Sequence, residues 1–408
     1  MKRAALVVTI LFALLAFGIG LVGTTVALDV TRPVVSGSNG TLNFVVNDGD
    51  TSTEIANKLE KAGLIRNALI FRLLARYKHL DSSLQHGAYS LSPNMNMDQI
   101  ITALEGAPVD EHIVILVPPG SRVTQYPDYF TKLPNFNADN FAQIAKTGIL
   151  LDDAKTTIWS KYWFVQPMAK GTKVKYALEG YLFPDTYYFN KDADETTVIE
   201  TMLDNLGTKL CPGPDNNPKA YFADKDQCLA HAAPVGNTNI FAAAEKAYSI
   251  KDPVAALQTA LTMASLTVRE IKNPKDAPGV TNVYYTRYMA LLHKTANTGD
   301  IASMGADPTA QYALESATPP TDGKWWKPLT KAGSQVATTD PYNTNVTTNG
   351  SLMPGPIAAP LWAEIEAATN PSISKYFYFV QDCNGVTLYA TTNAQNTANI
   401  NKPCTPSS

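Results

Sequence analysis

The chain has 408 residues, 45% of them hydrophobic and 17% charged. That is enough material for two or more domains with sizeable cores. Its formal net charge of -3, with basic side chains gathered only in short clusters such as Lys170, Lys173 and Lys175, leaves no electrostatic footprint for nucleic acid.

Met1-Lys2-Arg3 precede a charge-free run over residues 4–28. This run exceeds the ~20 apolar residues that a helix needs to cross a bilayer, and it is longer than the apolar part of a secretory signal. It predicts a single N-terminal transmembrane anchor over residues 1–28, with Val26-Ala27 leaving a cleavage site as the alternative. Lys2 and Arg3 on the inner side put the N-terminus in the cytoplasm and everything after Asp29 outside the cell membrane. Residues 29–41, rich in Pro, Ser and Gly, are expected to be a spacer.

A compact module is expected over residues 42–108. Leu42 to Val46 form a strand, Asp50-Thr51-Ser52 cap a helix that Gly63 ends, and 67–77 give a second helix. Residues 87–91 then alternate as a closing strand, and Asn96 opens another helix that ends near Gly106. His112 to Val117 form an apolar strand stopped by Pro118-Pro119-Gly120, and they open a larger mixed domain over 109–392. The fold class is therefore α+β.

Leu178-Glu179-Gly180-Tyr181-Leu182-Phe183-Pro184-Asp185-Thr186-Tyr187 sets two carboxylates among aromatic rings, with Gly180 and Pro184 barring a regular helix. Aromatic faces stack on pyranose rings and carboxylates accept from hydroxyls, so the stretch has the make-up of a sugar cleft wall. A core strand and turn fits the same composition. Residues 207–239, dense in Pro, Asp, Asn and Gly, are expected to be an inserted surface loop, and 393–408 a polar tail.

The four cysteines fall in two local pairs, Cys211 with Cys228 and Cys383 with Cys404. An oxidising compartment allows both disulfides, each contributing on the order of 3 kcal/mol, and unpaired thiols are the alternative. The five histidines are scattered without metal-ligand spacing, so neither a metal nor a cofactor is expected.

Asp252-Pro253 starts a helix that runs to about Lys272, before Asn273-Pro274. Val254, Leu257, Leu261, Ala264, Val268 and Ile271 mark one buried face, while Thr259, Met263, Leu266 and Glu270 line a second that is also mostly apolar. A carboxylate on such a face is desolvated and keeps its proton to higher pH, as glycosidic cleavage requires of a general acid. Pairing of Glu270 with Arg287 is the structural alternative.

Thr262 to Glu270 resembles a block of the endolytic murein transglycosylases, the YceG-like family, and 178–187 resembles that family's signature. Further similar blocks follow in order: Arg287, Asp307-Pro308-Thr309 with Tyr312, Pro341-Tyr342-Asn343-Thr344, Met353-Pro354-Gly355-Pro356-Ile357, and a closing strand at 376–380 before the Asn384-Gly385 hairpin. Val268, Thr286 and Leu361 depart from the family pattern, as does the insertion. The resemblance implies a LysM-like module over 42–108 and a lytic transglycosylase acting on peptidoglycan glycan strands, with Glu270 as catalytic residue. It also implies peptidoglycan synthases as partners. Glu179, Tyr181, Asp185, Tyr187, Arg287, Asp307, Tyr342 and Asn343 are the candidate substrate-binding residues. A hydrolytic muramidase and a catalytically weak glycan-binding scaffold are the alternatives.

Overall fold

A computed structural model of the chain describes residues 30–34, 42–47, 50–78, 87–106, 113–151, 156–214, 221–294, 301–329, 339–346 and 352–402. The expected anchor lies outside these residues, and among them no helix is long and apolar enough to cross a membrane. The architecture is mixed α+β, with helices predominating and strands paired two by two. The chain divides into two compact units, Met1–Ile113 with Gly213–Ala220, and Val114–Pro212 with Tyr221–Ser408.

In the first unit, β1 (Leu42–Val46) pairs antiparallel with β2 (Gly87–Leu91), Phe44 opposite Tyr89. Between them come α1 (Ser52–Lys61) and α2 (Ala68–Tyr77), and α3 (Met97–Glu105) follows. Thr51 and Asn96 each close a reciprocal capping box, with Glu54 and Gln99 respectively. Asn67 caps α2 through two backbone N–H groups. Phe44, Ile55, Leu59, Phe71, Tyr89, Ile100 and Leu104 form the core. Val30 packs against that core, and the Arg66 guanidinium donates to the carbonyls of Arg32, Pro33 and Val34. The described part of the expected spacer is thus fastened to the unit that it precedes.

The second unit opens within β3 (Ile113–Leu116), at Val114, and this strand pairs with β4 (Thr186–Phe189). Between these strands lie α4 (Tyr126–Tyr129), α5 (Ala138–Thr147) and α6 (Ile158–Lys161). Tyr126, Phe130, Phe136, Phe141 and Phe189 fill the space beneath with ring-to-ring contacts. Next come α7 (Glu195–Leu210), α8 (Lys225–His231), a short hairpin of β5 (Pro234–Val235) and β6 (Thr238–Asn239), and α9 (Ile240–Tyr248).

Segment 207–239 is therefore more than a loop. Asp224 caps a helix within it, and the Cys211–Cys228 disulfide ties that helix to the end of α7. Cys383 is disulfide-bonded as well, while Cys404 lies outside the described residues.

The centre of the unit is α10 (Pro253–Glu270), packed against α9, α11 (Ala277–His293), α12 (Asp307–Ala317) and α13 (Trp362–Thr369). The β7 (Tyr378–Gln381) and β8 (Thr387–Ala390) hairpin turns through 382–386, a longer loop than the two-residue turn expected at Asn384-Gly385, with Gly385 at φ 77° and its amide donating to Asp382 O. The expected polar tail contains a further helix, α14 (Asn393–Ile400), capped by Thr392. None of its residues is buried, so apolar periodicity could not announce it.

Candidate active site

Asp252 caps α10, its carboxylate accepting from Ala255 N at 2.8 Å, and Pro253 occupies the first turn. From Ala260 to Leu266 every residue is buried, so both faces expected from the sequence are covered. Glu270 is the last helical residue, where the cover thins to half-burial. Burial nonetheless dominates its electrostatics and pushes the carboxyl above the usual carboxylate range. The Tyr284 hydroxyl on α11 donates to Glu270 Oε1 at 2.7 Å and pulls the other way. Asp307 adds to the rise, and the cations of Arg287 and Arg269 oppose it.

Arg287 does not take Glu270 as its hydrogen-bond partner. Its Nε donates to Phe377 O at 2.6 Å and its Nη1 to Met304 O at 2.7 Å, so it fastens α11 to the approach to α12 and to the closing hairpin. Its guanidinium also lies over the rings of Tyr284 and Tyr378. Asp307, in the first turn of α12, is exposed and accepts from Asn345 Nδ2 at 3.1 Å. Among the residues singled out from the sequence, Glu270, Arg287 and Asp307 thus share one electrostatic neighbourhood.

The 178–187 stretch is placed differently. Glu179 is buried, with Oε1 accepting from Val123 N at 2.8 Å and Oε2 from the Tyr312 hydroxyl at 3.1 Å. Burial raises its carboxyl to about 8, against the opposing pull of Arg122 and these two donors. Tyr181 is buried and its hydroxyl accepts from Gln166 N. Tyr187 is buried too and donates to Phe183 O at 2.5 Å. Asp185 alone among the four is exposed, accepting from Thr186 N and Asn205 Nδ2. These bonds brace the strand and turn, and only Asp185 presents its carboxylate to solvent.

Tyr342 and Asn343 are likewise fully buried. Tyr342 packs on Tyr312 at 4.9 Å between ring centroids, under the Lys175 ammonium, and Asn343 Oδ1 accepts from Asn345 N. They support the platform around Glu179 and the segment that reaches Asp307.

Gly180, at φ 79°, lies so close to Pro356 that a Cβ would come within 2.4 Å of the proline ring. Ile357 N in turn donates to Ser265 Oγ on α10 at 3.0 Å. The 178–187, 353–357 and 262–270 segments are therefore physically joined.

Several contributors escaped the sequence reading. Arg122 is fully buried, paired with Glu315 at 3.3 Å, donating to Ser316 Oγ at 2.6 Å, and stacked over Tyr312 and Trp325. Arg269 stacks over Trp326 at 4.1 Å and donates to Gly120 O at 3.1 Å. Its charge feels both Glu315 and Glu270, as that of Arg122 feels Glu179, so alternating charges connect the two glutamate environments. The adjacent Trp325-Trp326 was the one sequence signal of this network.

Chemically, the α10 end offers a carboxyl biased toward its protonated form, a hydroxyl that orients it and a second carboxylate nearby. Among the described residues no cluster of His, Cys, Asp and Glu could hold a metal ion. Two hollows of about 420 and 500 Å³, around Trp362 and around Ala363, are lined by none of the candidate catalytic or substrate-binding residues.

The YceG-like family model matches residues 44–402. An endolytic murein transglycosylase of Streptococcus pneumoniae is 25% identical over 403 residues, covering 95% of this chain and 62% of its own. One from Bacillus subtilis is 27% identical over 364 residues, covering 88% and 84%. A crystal structure of a YceG-like protein of Listeria monocytogenes is 24% identical with a TM-score of 0.49, covering 88% of this chain and 99% of that one. The chain thus spans 62% of the length of the pneumococcal relative. With the family model matched from the first strand of the small unit to the end of the closing helix, the chain belongs to the YceG-like family.

Proposed function

We propose that this protein is a membrane-anchored endolytic lytic transglycosylase that cuts the β-1,4 bond between N-acetylmuramic acid and N-acetylglucosamine in peptidoglycan. The observation that carries the reading is the Glu270 carboxyl, raised by burial and held by Tyr284 at the end of a helix whose body is buried on every side from Ala260 to Thr267. The names of the pneumococcal and Bacillus relatives support the same activity.

In the reaction, protonated Glu270 gives its proton to the glycosidic oxygen as the bond to C1 of the muramyl residue breaks. The resulting carboxylate then takes the proton of the muramyl C6 hydroxyl, whose oxygen closes onto C1. The products are a 1,6-anhydro end and a free 4-hydroxyl on the released strand, and Glu270 recovers its proton without consuming water. Tyr284 keeps the carboxyl oriented in both halves of the cycle.

In this reading residues 1–28 anchor the chain with the N-terminus in the cytoplasm, and 42–108 form a LysM-like module. Residues 109–392 form the exocytoplasmic catalytic domain that limits strand length. The two helices set between paired strands in the first unit support the module assignment. Synthase partners follow from the family resemblance alone.

A hydrolytic reading draws on one observation, the proximity of the Asp307 carboxylate, which is close enough to raise Glu270. Two carboxylates flanking the bond are what a muramidase uses. Digestion of purified glycan strands with the full-length protein decides the matter by product. Anhydro-muramyl ends and activity lost in Glu270→Gln but kept in Asp307→Asn support the transglycosylase. Reducing ends lost in both variants support hydrolysis, and an undiminished Glu270→Gln variant overturns both.

A further inference from the structure

The outer face of α2 in the first unit is unlike the rest of that unit's surface. Leu69, Leu73 and Tyr77 are 60%, 63% and 81% exposed. Arg72 and Arg76, exposed as well, stand between them. Spacings of three and four residues place all five on one side of the helix, while Ala68, Phe71 and Ala75 on the other side enter the core. α2 contains no acidic residue. A helix face of aliphatic side chains, one tyrosine and arginines suits the boundary between acyl chains and anionic headgroups. Leucines enter the apolar layer there, tyrosine sits at headgroup level and arginines meet lipid phosphates.

The chain path keeps the start of this helix close to the end of the N-terminal apolar run. The charge-free run ends at Leu28, and Val30 is already packed on the core of the unit. Two residues of extended chain span at most about 7 Å. Arg66, one residue before the cap of α2, holds the carbonyls of Arg32, Pro33 and Val34. No free tether therefore separates the end of the apolar run from the start of α2.

We propose that the exposed face of α2 docks onto anionic phospholipid of the membrane that holds the N-terminal run, and so fixes the first unit against the bilayer surface. This rests on the reading of residues 4–28 as an anchor. Arg72 and Arg76 supply the charge attraction and Leu69, Leu73 and Tyr77 the apolar insertion.

The test is a nitroxide on Leu73→Cys in the full-length oxidised protein, reconstituted into vesicles of phosphatidylglycerol and phosphatidylcholine. A label on Thr53→Cys, at an exposed position of α1, serves as the aqueous reference. Docking is shown when oxygen relaxes the label at 73 more than a water-soluble nickel complex does, with the opposite ratio at 53. Arg72→Gln with Arg76→Gln should lower the docked-to-undocked ratio on the order of 30-fold, from the loss of two basic side chains at an anionic surface. Pure phosphatidylcholine should act in the same direction.

A label at 73 as accessible to nickel as that at 53 overturns the proposal. So does one shielded from both reagents, which marks a protein partner instead. An alkaline carbonate wash reads the anchor independently. Retained protein with a water-exposed label refutes only the docking face, whereas washed-off protein whose label had read lipid refutes only the anchor.

Discussion

The Tyr284 hydroxyl donates to Glu270 Oε1 at 2.7 Å, across the junction of α11 with the end of α10. The bond stabilises the ionised form of a carboxyl that burial holds toward the protonated one. Tyr284→Phe removes the lowering influence alone. The Glu270 pKa then rises further, and the alkaline limb of the pH–rate profile for glycan cleavage moves to higher pH. Loss of orientation should cut the plateau rate by about 10-fold or more. A profile with its limb unmoved or shifted to lower pH refutes this role of the hydroxyl.

Glu179 supplies a pH signature of stability. Its folded pKa of about 8 exceeds the ordinary carboxylate value, so the native state keeps a proton that the unfolded chain releases from about pH 4.5 upward. Stability from this group is full below that point, declines as pH rises toward 8, and is level above it. Glu179→Gln should flatten this decline in denaturant titrations run between pH 5 and 8. Glu179→Ala strands the Val123 N–H and the Tyr312 hydroxyl, two buried donors that the carboxyl oxygens now satisfy. Its cost should be about 3 kcal/mol at neutral pH.

Gly180 cannot take a side chain. An added Cβ would meet Pro356 at 2.4 Å, and the positive φ is unfavourable for alanine. Gly180→Ala should cost roughly 2–4 kcal/mol by chemical denaturation. A neutral substitution would show that the two segments are less tightly joined than their contact implies.

The Cys211–Cys228 bridge closes a separation of 17 residues. Replacing both cysteines with serine should lower stability by about 3 kcal/mol. The melting temperature should fall while catalysis at low temperature persists, because the bridge ties α7 to α8 and touches none of the groups around Glu270. A rate loss at temperatures where the protein remains folded contradicts that separation.

The parts of the fold that sequence revealed were those with local causes. The Asp252-Pro253 start, the doubly apolar body of α10 and the Asn384-Gly385 turn each depend on neighbouring residues. What it concealed depends on contacts across long separations. Arg122 meets Glu315 193 positions away, and nothing around either residue marks it as half of a buried pair. The make-up of 178–187 fitted a core strand and turn as well as a cleft wall. Which of its side chains face inward was settled by Val123, Tyr312 and Gln166, none of them within the motif. In 225–231 a capping aspartate and a disulfide outweigh a composition typical of loops.

The stretch around Ile357 has neither helix nor strand, yet Ser265 receives its amide, and Ala359 exchanges backbone bonds with Gly120 and Ser121. It behaves as a keystone wedged between α10 and the turn after β3. Its amide protons should exchange with deuterium as slowly as those of the central helix, because neither can open while the other stays closed. Whatever pulls this stretch out also dismantles the seat of Glu270, so a protease able to nick it would be acting on globally unfolded protein rather than on a native surface loop.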